Sequence, residues 1–319
     1  MFILRSHTAL YIDAGYLLAA AATRLTGSSF RHSVDVDYGR LLNDLIDLVE
    51  KRTGLPILRV YWYDAARDGI ATPAQERIAL LPKVKLRLGR IGVEGEQKGV
   101  DLRIGLDMVG HSRNGAVATM YLLSGDDDLT EAVEEAQSQG VQVIVLAVPS
   151  KTGERHGVSK HLMLAADELE IIDADLLDNS VSGVSPQGTP STTADDDSTA
   201  TTQASPADVA RQAPARIVPL PTPGGTLGLL HSSAAAEAAL DPEELAATIN
   251  QVATRTYDAW ATAATVAQHD ELTAGRPSIP RELDRALLID LSDALGEYSL
   301  SDQVRVALRA EFWAALDRK

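Results

Sequence analysis

Cysteine is absent from this 319-residue chain, which rules out disulfides and thiolate metal sites and fits a reducing compartment. Aromatic residues are scarce at 4% against 45% hydrophobic residues, so any core must be built mainly from Ala, Val, Leu and Ile. No apolar run reaches the ~18 residues of a membrane span. The apolar stretch before strand-like sequence begins near Thr8 is too short for a signal peptide. The expectation is a cytoplasmic protein with no membrane partner. Positive charge is also in short supply, with a formal net charge of −16. Residues 1–178 carry 19 basic and 26 acidic side chains, and residues 179–319 carry 10 and 19. Neither part is basic overall, which argues against a simple electrostatic sponge for nucleic acid. One local exception stands out, because Arg77, Lys83, Lys85, Arg87, Arg90 and Lys98 fall within 22 residues. That run reads either as an edge strand protected by charge or as a phosphate-contacting face made of Lys83, Lys85, Arg87, Arg90 and Lys98.

Up to about residue 175 the chain alternates strand and helix signals. Residues 8–13 (TALYID) read as a strand and 14–24 as a helix. Residues 38–52 carry Leu41, Leu42, Leu45, Ile46, Leu48 and Val49 at helical spacing. A second strand is expected over 55–64. A short helix over 73–81 has Thr72 as its N-cap and Pro73 at its first position. Residues 83–93 alternate charged and apolar side chains, the pattern of a half-exposed strand. A helix over 100–112, a strand over 116–123, a helix over 129–139 stopped by Gly140, and a strand over 141–148 follow. Ile171-Ile172 adds a short last strand. Such alternation predicts an α/β fold with a doubly wound parallel sheet covered on both faces.

Composition changes over 179–232, where Ser, Thr, Ala, Pro, Gly and Asp dominate. This is the composition of a disordered linker, interrupted by the apolar segment 217–221 (IVPLP). Residues 233–319 are helical in pattern. They comprise an Ala-rich run over 234–268 with a start signal at Asp241-Pro242, an amphipathic run over 281–295, and another over 301–316 capped by Ser301-Asp302. The expected division is an α/β domain over 1–178, a linker over 179–232, and a small all-α domain over 233–319. Interaction with a protein partner or homo-oligomerisation is the default role of the last.

Three consecutive acids, Asp126, Asp127 and Asp128, end the apolar run 120–125 (MYLLSG). Carboxylates at a strand-to-helix turn lie at the carboxyl edge of an α/β sheet, where such folds place their ligands. A helix N-cap explains one aspartate, with Asp128 as the candidate. Two acids are left crowded beside it, and like charges at close range call for a cation. Asp126 is the hardest to explain structurally, since Ser124-Gly125 already makes the turn. Asp13 closes the first strand, although an aspartate there also suits a turn. Asp101 opens a helix, where the dipole favours an acid. If the strands ending at Asp13 and Leu123 are neighbours across the switch point, Asp13, Asp101, Asp126 and Asp128 converge in one cleft. Asp127 is expected to point away from it. Asp107 lies roughly 240° round the helix from Asp101, on another face. Oxygen donors without Cys or paired His suit Mg²⁺ or Mn²⁺ rather than Zn²⁺. A cation site of this kind can activate water and stabilise the leaving oxygen of a phosphodiester.

Tyr11-Ile12-Asp13, Lys98-Gly99-Val100-Asp101 and Leu123-Ser124-Gly125-Asp126-Asp127-Asp128-Leu129 resemble, in order and spacing, the motifs of the NYN domain, as does Gly140-Val141-Gln142-Val143 after the helix. NYN domains belong to the PIN-like nuclease superfamily. The resemblance covers about residues 7–175. It implies a Mg²⁺- or Mn²⁺-dependent ribonuclease fold with a central parallel sheet, RNA as the partner, and Asp13, Asp101, Asp126 and Asp128 as metal-binding acids. The chain departs from the family pattern at Tyr16, where Asn is usual three residues after the first Asp, and at Leu129, where an aromatic is usual. The first departure removes a polar group from beside the metal.

The leading expectation is a metal-dependent endoribonuclease steered by the basic strand around Lys83 to Arg90, with Lys98 at the cleft mouth. The alternative is a weakly active or inactive NYN-fold module that binds RNA or protein. Phosphatase and Toprim-type enzymes also use strand-end aspartates. A haloacid-dehalogenase-type site wants Asp two residues after Asp13, where Gly15 stands, and a Toprim site wants Glu in place of Asp13.

Overall fold

A computed structural model describes residues 7–91, 97–184, 241–296 and 300–318. Its centre is a seven-stranded sheet. The strands are β1 (Thr8–Asp13), β3 (Ile57–Arg67), β4 (Val84–Ile91), β5 (Gln97–Lys98), β6 (Thr119–Leu123), β7 (Gln142–Ala147) and β8 (Glu168–Ile171), in the spatial order β5-β4-β3-β1-β6-β7-β8. All neighbours pair in parallel except β4 and β5. The parallel sheet expected from the strand–helix alternation is therefore present.

Side chains that alternate along each strand feed two cores. On β1, Leu10 and Ile12 join one apolar cluster while Ala9 and Tyr11 join the other, as a period of two residues requires. Helices α1 (Ala14–Thr26) and α2 (Tyr38–Thr53) cover the first face with Leu17, Leu41, Leu42, Leu45 and Val49. Helices α4 (Val100–Arg113) and α5 (Thr130–Ser138) cover the second with Ile104, Met108 and Val133. The short helix α3 (Pro73–Ala79) begins with a capping box between Thr72 and Gln75.

Connectivity decides where a cleft can form. From β1 the chain builds outward on one side through β3 and β4, then returns through α4 to place β6 on the other side of β1. The order reverses between β1 and β6, and their register is Thr8↔Thr119 through Ile12↔Leu123. Their carboxyl ends meet at this switch point, where open α/β sheets bind ligands.

Several short elements gave no signal in the sequence. Strand β2 (Val34–Val36) pairs antiparallel with β9 (Val181–Gly183) in a separate ribbon. Helices α6 (Lys160–Ala165) and α7 (Ala174–Asp178) span six and five residues. Strand β9 lies inside the span expected as linker from 179, with Val181 buried in the first core. The remainder of the expected linker, including 217–221, lies outside the described residues.

The C-terminal region is all-helical: α8 (Pro242–Ala263), α9 (Val266–Ala274), α10 (Arg281–Leu295) and α11 (Asp302–Asp317). The helix of the Ala-rich run begins after Asp241, as its start signal implies, and ends at Ala263, where Thr265 and Gln268 form a capping box that starts a new helix. These helices enclose Val252, Leu287, Leu308 and Phe312, and Phe30 from the α/β region inserts into the same cluster. Among the described residues, no helix is long and apolar enough to cross a membrane.

Candidate active site

Asp13 is the last residue of β1 and the N-cap of α1. The Tyr16 N–H donates to its Oδ1 (3.2 Å). The Ser124 hydroxyl, one residue beyond β6, donates to its Oδ2 (3.3 Å). The two strands of the switch point are thus joined through this carboxylate. Protein atoms crowd Asp13, and that burial pushes its carboxyl up to about 6. The Tyr16 N–H bond opposes the rise and the nearby charge of Asp101 adds to it.

Asp101 sits in the first turn of α4, after Gly99 in the left-handed conformation (φ 77°). Its carboxyl is raised first by burial, then by Asp126, and further by Asp128. Asp101 thus lies within electrostatic reach of Asp13, Asp126 and Asp128; Asp13 and the acidic triplet follow the adjacent strands β1 and β6, and Asp101 opens α4.

The local roles within the acidic triplet differ from the sequence reading. Asp126, not Asp128, is the cap. The Asp128 N–H donates to Asp126 Oδ1 (3.0 Å) at the start of a 3-10 turn over Asp127–Leu129. The Asp126 N–H itself donates to Ser124 Oγ (3.3 Å). The turn begins two residues earlier than apolar periodicity suggests, so Asp126 has a structural task after all. Asp127 accepts from Ser159 Oγ (2.6 Å) and lies 3.2 Å from His161 Nδ1. Those two contacts, Ser159 first, hold its carboxyl below the ordinary range.

Among the described residues, no group of three or more His, Asp or Glu side chains is arranged to hold a metal ion as placed. In donor chemistry the four acids suit a hard divalent cation, since all their donors are carboxylate oxygens.

Tyr16 closes the floor on the α1 side. Its hydroxyl donates to the His156 carbonyl (2.6 Å) and accepts from the Val148 N–H (3.2 Å). Its ring lies against Gly125, where an added Cβ would stand 2.8 Å from Tyr16 Cε2 and meet the Gly157 carbonyl. Only glycine fits there.

The basic residues are dispersed. Lys83 precedes β4 at the amino edge of the sheet, opposite the acids, and pairs with Glu50 (2.9 Å). Arg87 is engaged by Asp107 (2.7 and 2.5 Å), which also accepts from the Tyr63 hydroxyl (2.9 Å). Asp107 is thus on a different face from Asp101, as the helical spacing implies. Lys85, the second residue of β4, is exposed near the amino edge of the sheet. Arg90 and Lys98 stand opposite one another across β4 and β5 near the carboxyl edge. The five cations expected to form one face therefore do not all border the acids.

Two participants escaped the sequence reading. Ser124 is fully buried and orients both Asp13 and Asp126, and its place directly after the strand was the available signal. Arg285 lies on α10, more than 150 residues along the chain from Asp126, and lowers the Asp101 carboxyl that the other acids raise. No local pattern marks it.

A family model described as NYN domain matches residues 7–173, more than half of the chain. An uncharacterized protein, y4oD, of Sinorhizobium fredii (strain NBRC 101917 / NGR234) is 41% identical over 81 residues, which cover 25% of this chain and 38% of that protein. The match thus spans well under half of that relative. No solved structure matches the chain.

Proposed function

This chain belongs to the NYN domain family, and from that premise we propose that it is a Mg²⁺- or Mn²⁺-dependent endoribonuclease whose acids are Asp13, Asp101, Asp126 and Asp128. The family's place in the PIN-like nuclease superfamily makes phosphodiester hydrolysis the general chemistry. The observation that supports the finer reading is that Ser124 links Asp13 and Asp126 where the adjacent strands β1 and β6 end.

A bound divalent ion supplies Lewis-acid polarisation of a phosphoryl oxygen and lowers the pKa of water. The chain's own groups set the geometry. Ser124 and the Tyr16 N–H fix the Asp13 carboxylate from two sides. Asp126 is aimed by the Asp128 N–H, which it accepts on Oδ1, and Oδ2 is the oxygen assigned to a ligand. Gly125 lets the 156–157 loop pack close behind the acids. Arg90 and Lys98 at the carboxyl edge supply attraction for an RNA backbone.

Asp126→Asn should abolish Mn²⁺-dependent cleavage of labelled single-stranded RNA while the circular-dichroism spectrum stays native. Cleavage equal to wild type by the variant refutes the assignment. The second reading, an inactive RNA- or protein-binding module, is favoured by Tyr16, whose hydroxyl is spent on the His156 carbonyl where the family usually places Asn. A melting temperature that Mn²⁺ leaves unchanged supports that reading. We further propose a cytoplasmic location, and a linker and helical domain after residue 183, the helices serving as a partner or self-association surface.

A further inference from the structure

Resting on the nuclease reading, we propose that α10 forms one wall of the acidic cleft and that Arg285 on it contacts a phosphate of the RNA substrate. The placement of α10 follows from specific bonds. At its N-terminal end Glu282 accepts from Arg31 Nη2 (3.0 Å) and lies 2.5 Å from His32 Nε2. Arg31 also reaches Asp64 (3.8 Å) toward the carboxyl end of β3. One turn on, the Ala286 carbonyl accepts from the Ser29 hydroxyl (3.4 Å). Asp290, 4% exposed, accepts from the Ser29 N–H (2.8 Å) and the Thr256 hydroxyl (3.0 Å). Phe30 fills the helical core beside them. Farther along, Asp293 lies within electrostatic reach of His156, whose carbonyl holds Tyr16.

Residues 282, 286, 290 and 293 share one stripe of the helix. That stripe is anchored near the carboxyl end of β3 through Arg31 and along the Ser29 segment, and its far end lies within electrostatic reach of His156. Arg285, one turn from the Glu282 anchor, lies within electrostatic reach of Asp101. It is exposed and has no hydrogen-bond or ion-pair partner among the described residues. The acids that flank it are engaged elsewhere, Glu282 by Arg31 and His32, and Asp284 by Arg309 (2.7 and 2.8 Å). A guanidinium held at the rim of an acidic cleft meets the difficulty a polyanion has in approaching carboxylates. Its fork matches a phosphate in two hydrogen bonds. Two of the cations expected for this task, Lys83 and Arg87, are tied up in ion pairs.

The test uses the full chain in two arms. In the cleavage-deficient Asp126→Asn background, binding of a fluorescein-labelled single-stranded RNA is measured by anisotropy in EDTA, with and without Arg285→Ala. Loss of Arg285 is expected to weaken binding about tenfold, as for a charge-assisted hydrogen-bond pair. It should also flatten the dependence of log affinity on log salt by about one unit. In the active chain with Mn²⁺, Arg285→Ala should raise KM more than it lowers kcat, and Arg285→Lys should recover part of the loss. Melting temperatures confirm that each variant is folded. Unchanged affinity and KM overturn the proposal, as does faster cleavage, which would make α10 a lid. If wild type cleaves nothing, the nuclease reading fails while the binding arm still decides the role of Arg285.

Discussion

Replacing Asp13 by Asn should stabilise the metal-free protein, an unusual outcome for a partly buried, hydrogen-bonded residue. Its carboxyl is pushed up to about 6 in the fold, mainly by burial, while in the unfolded chain it titrates near the ordinary value of about 3.9. Between those two pH values the folded protein binds more protons than the unfolded one. Stability therefore falls as pH rises through that window, and the penalty is constant above it. Two units correspond to about 3 kcal/mol. The side chain keeps some access to water, so about 1–2 kcal/mol is the expected gain for Asp13→Asn near pH 8. Asparagine can still accept from the Tyr16 N–H, and the Ser124 hydroxyl can turn to accept from the new amide. For a region of this size the gain is about 2–4 °C in melting temperature per kcal/mol. Thermal unfolding in EDTA from about pH 4 to about pH 8 reads it directly. The gain should shrink toward zero at the acid end, and added Mn²⁺ should raise the melting temperature of wild type but not of the variant. A variant less stable than wild type at about pH 8, or a difference independent of pH, would refute the reasoning.

Two further outcomes follow from packing. Gly125→Ala should cost about 2–4 kcal/mol in urea unfolding, since the new methyl meets the Gly157 carbonyl and the Tyr16 ring; a cost below about 0.5 kcal/mol would mean that the 156–157 loop is free to move away. Asp290→Ala should leave the buried Ser29 N–H without a partner and loosen the helical region from the α/β region. After limited proteolysis within 185–240, the two wild-type fragments should co-elute on size exclusion and those of Asp290→Ala should separate; separation of the wild-type fragments would show that the Ser29–Phe30 contact does not hold the regions together.

Near-neighbour chemistry made much of this molecule readable in advance. The buried apolar runs of β1 and β6, the helical spacing of Leu41 to Val49, and the caps at Thr72 and Ser301 depend on residues within a turn or a strand of one another. The sequence pattern put Asp13 and the 126–128 triplet at strand ends before any coordinates, and β1 and β6 do end there. Where the partner is distant the reading ran out. Whether Asp126 or Asp128 capped the turn depended on a backbone angle, and Arg87 was taken by Asp107 from a helix 20 residues away. Three-residue strands such as β2 and β9 carry too little pattern to be seen and exist only because each pairs with the other.

Local sequence therefore settled which elements form and which of their ends carry acids, because hydrophobic period and capping act over a few residues. The packed chain decided which charges are spent in ion pairs, and it alone set a helix from the far end of the chain against the Ser29–Phe30 segment. Electrostatic pairing and docking act through space, and residues such as Ser29 and Asp290, 261 positions apart, leave no trace of each other in the order of the letters.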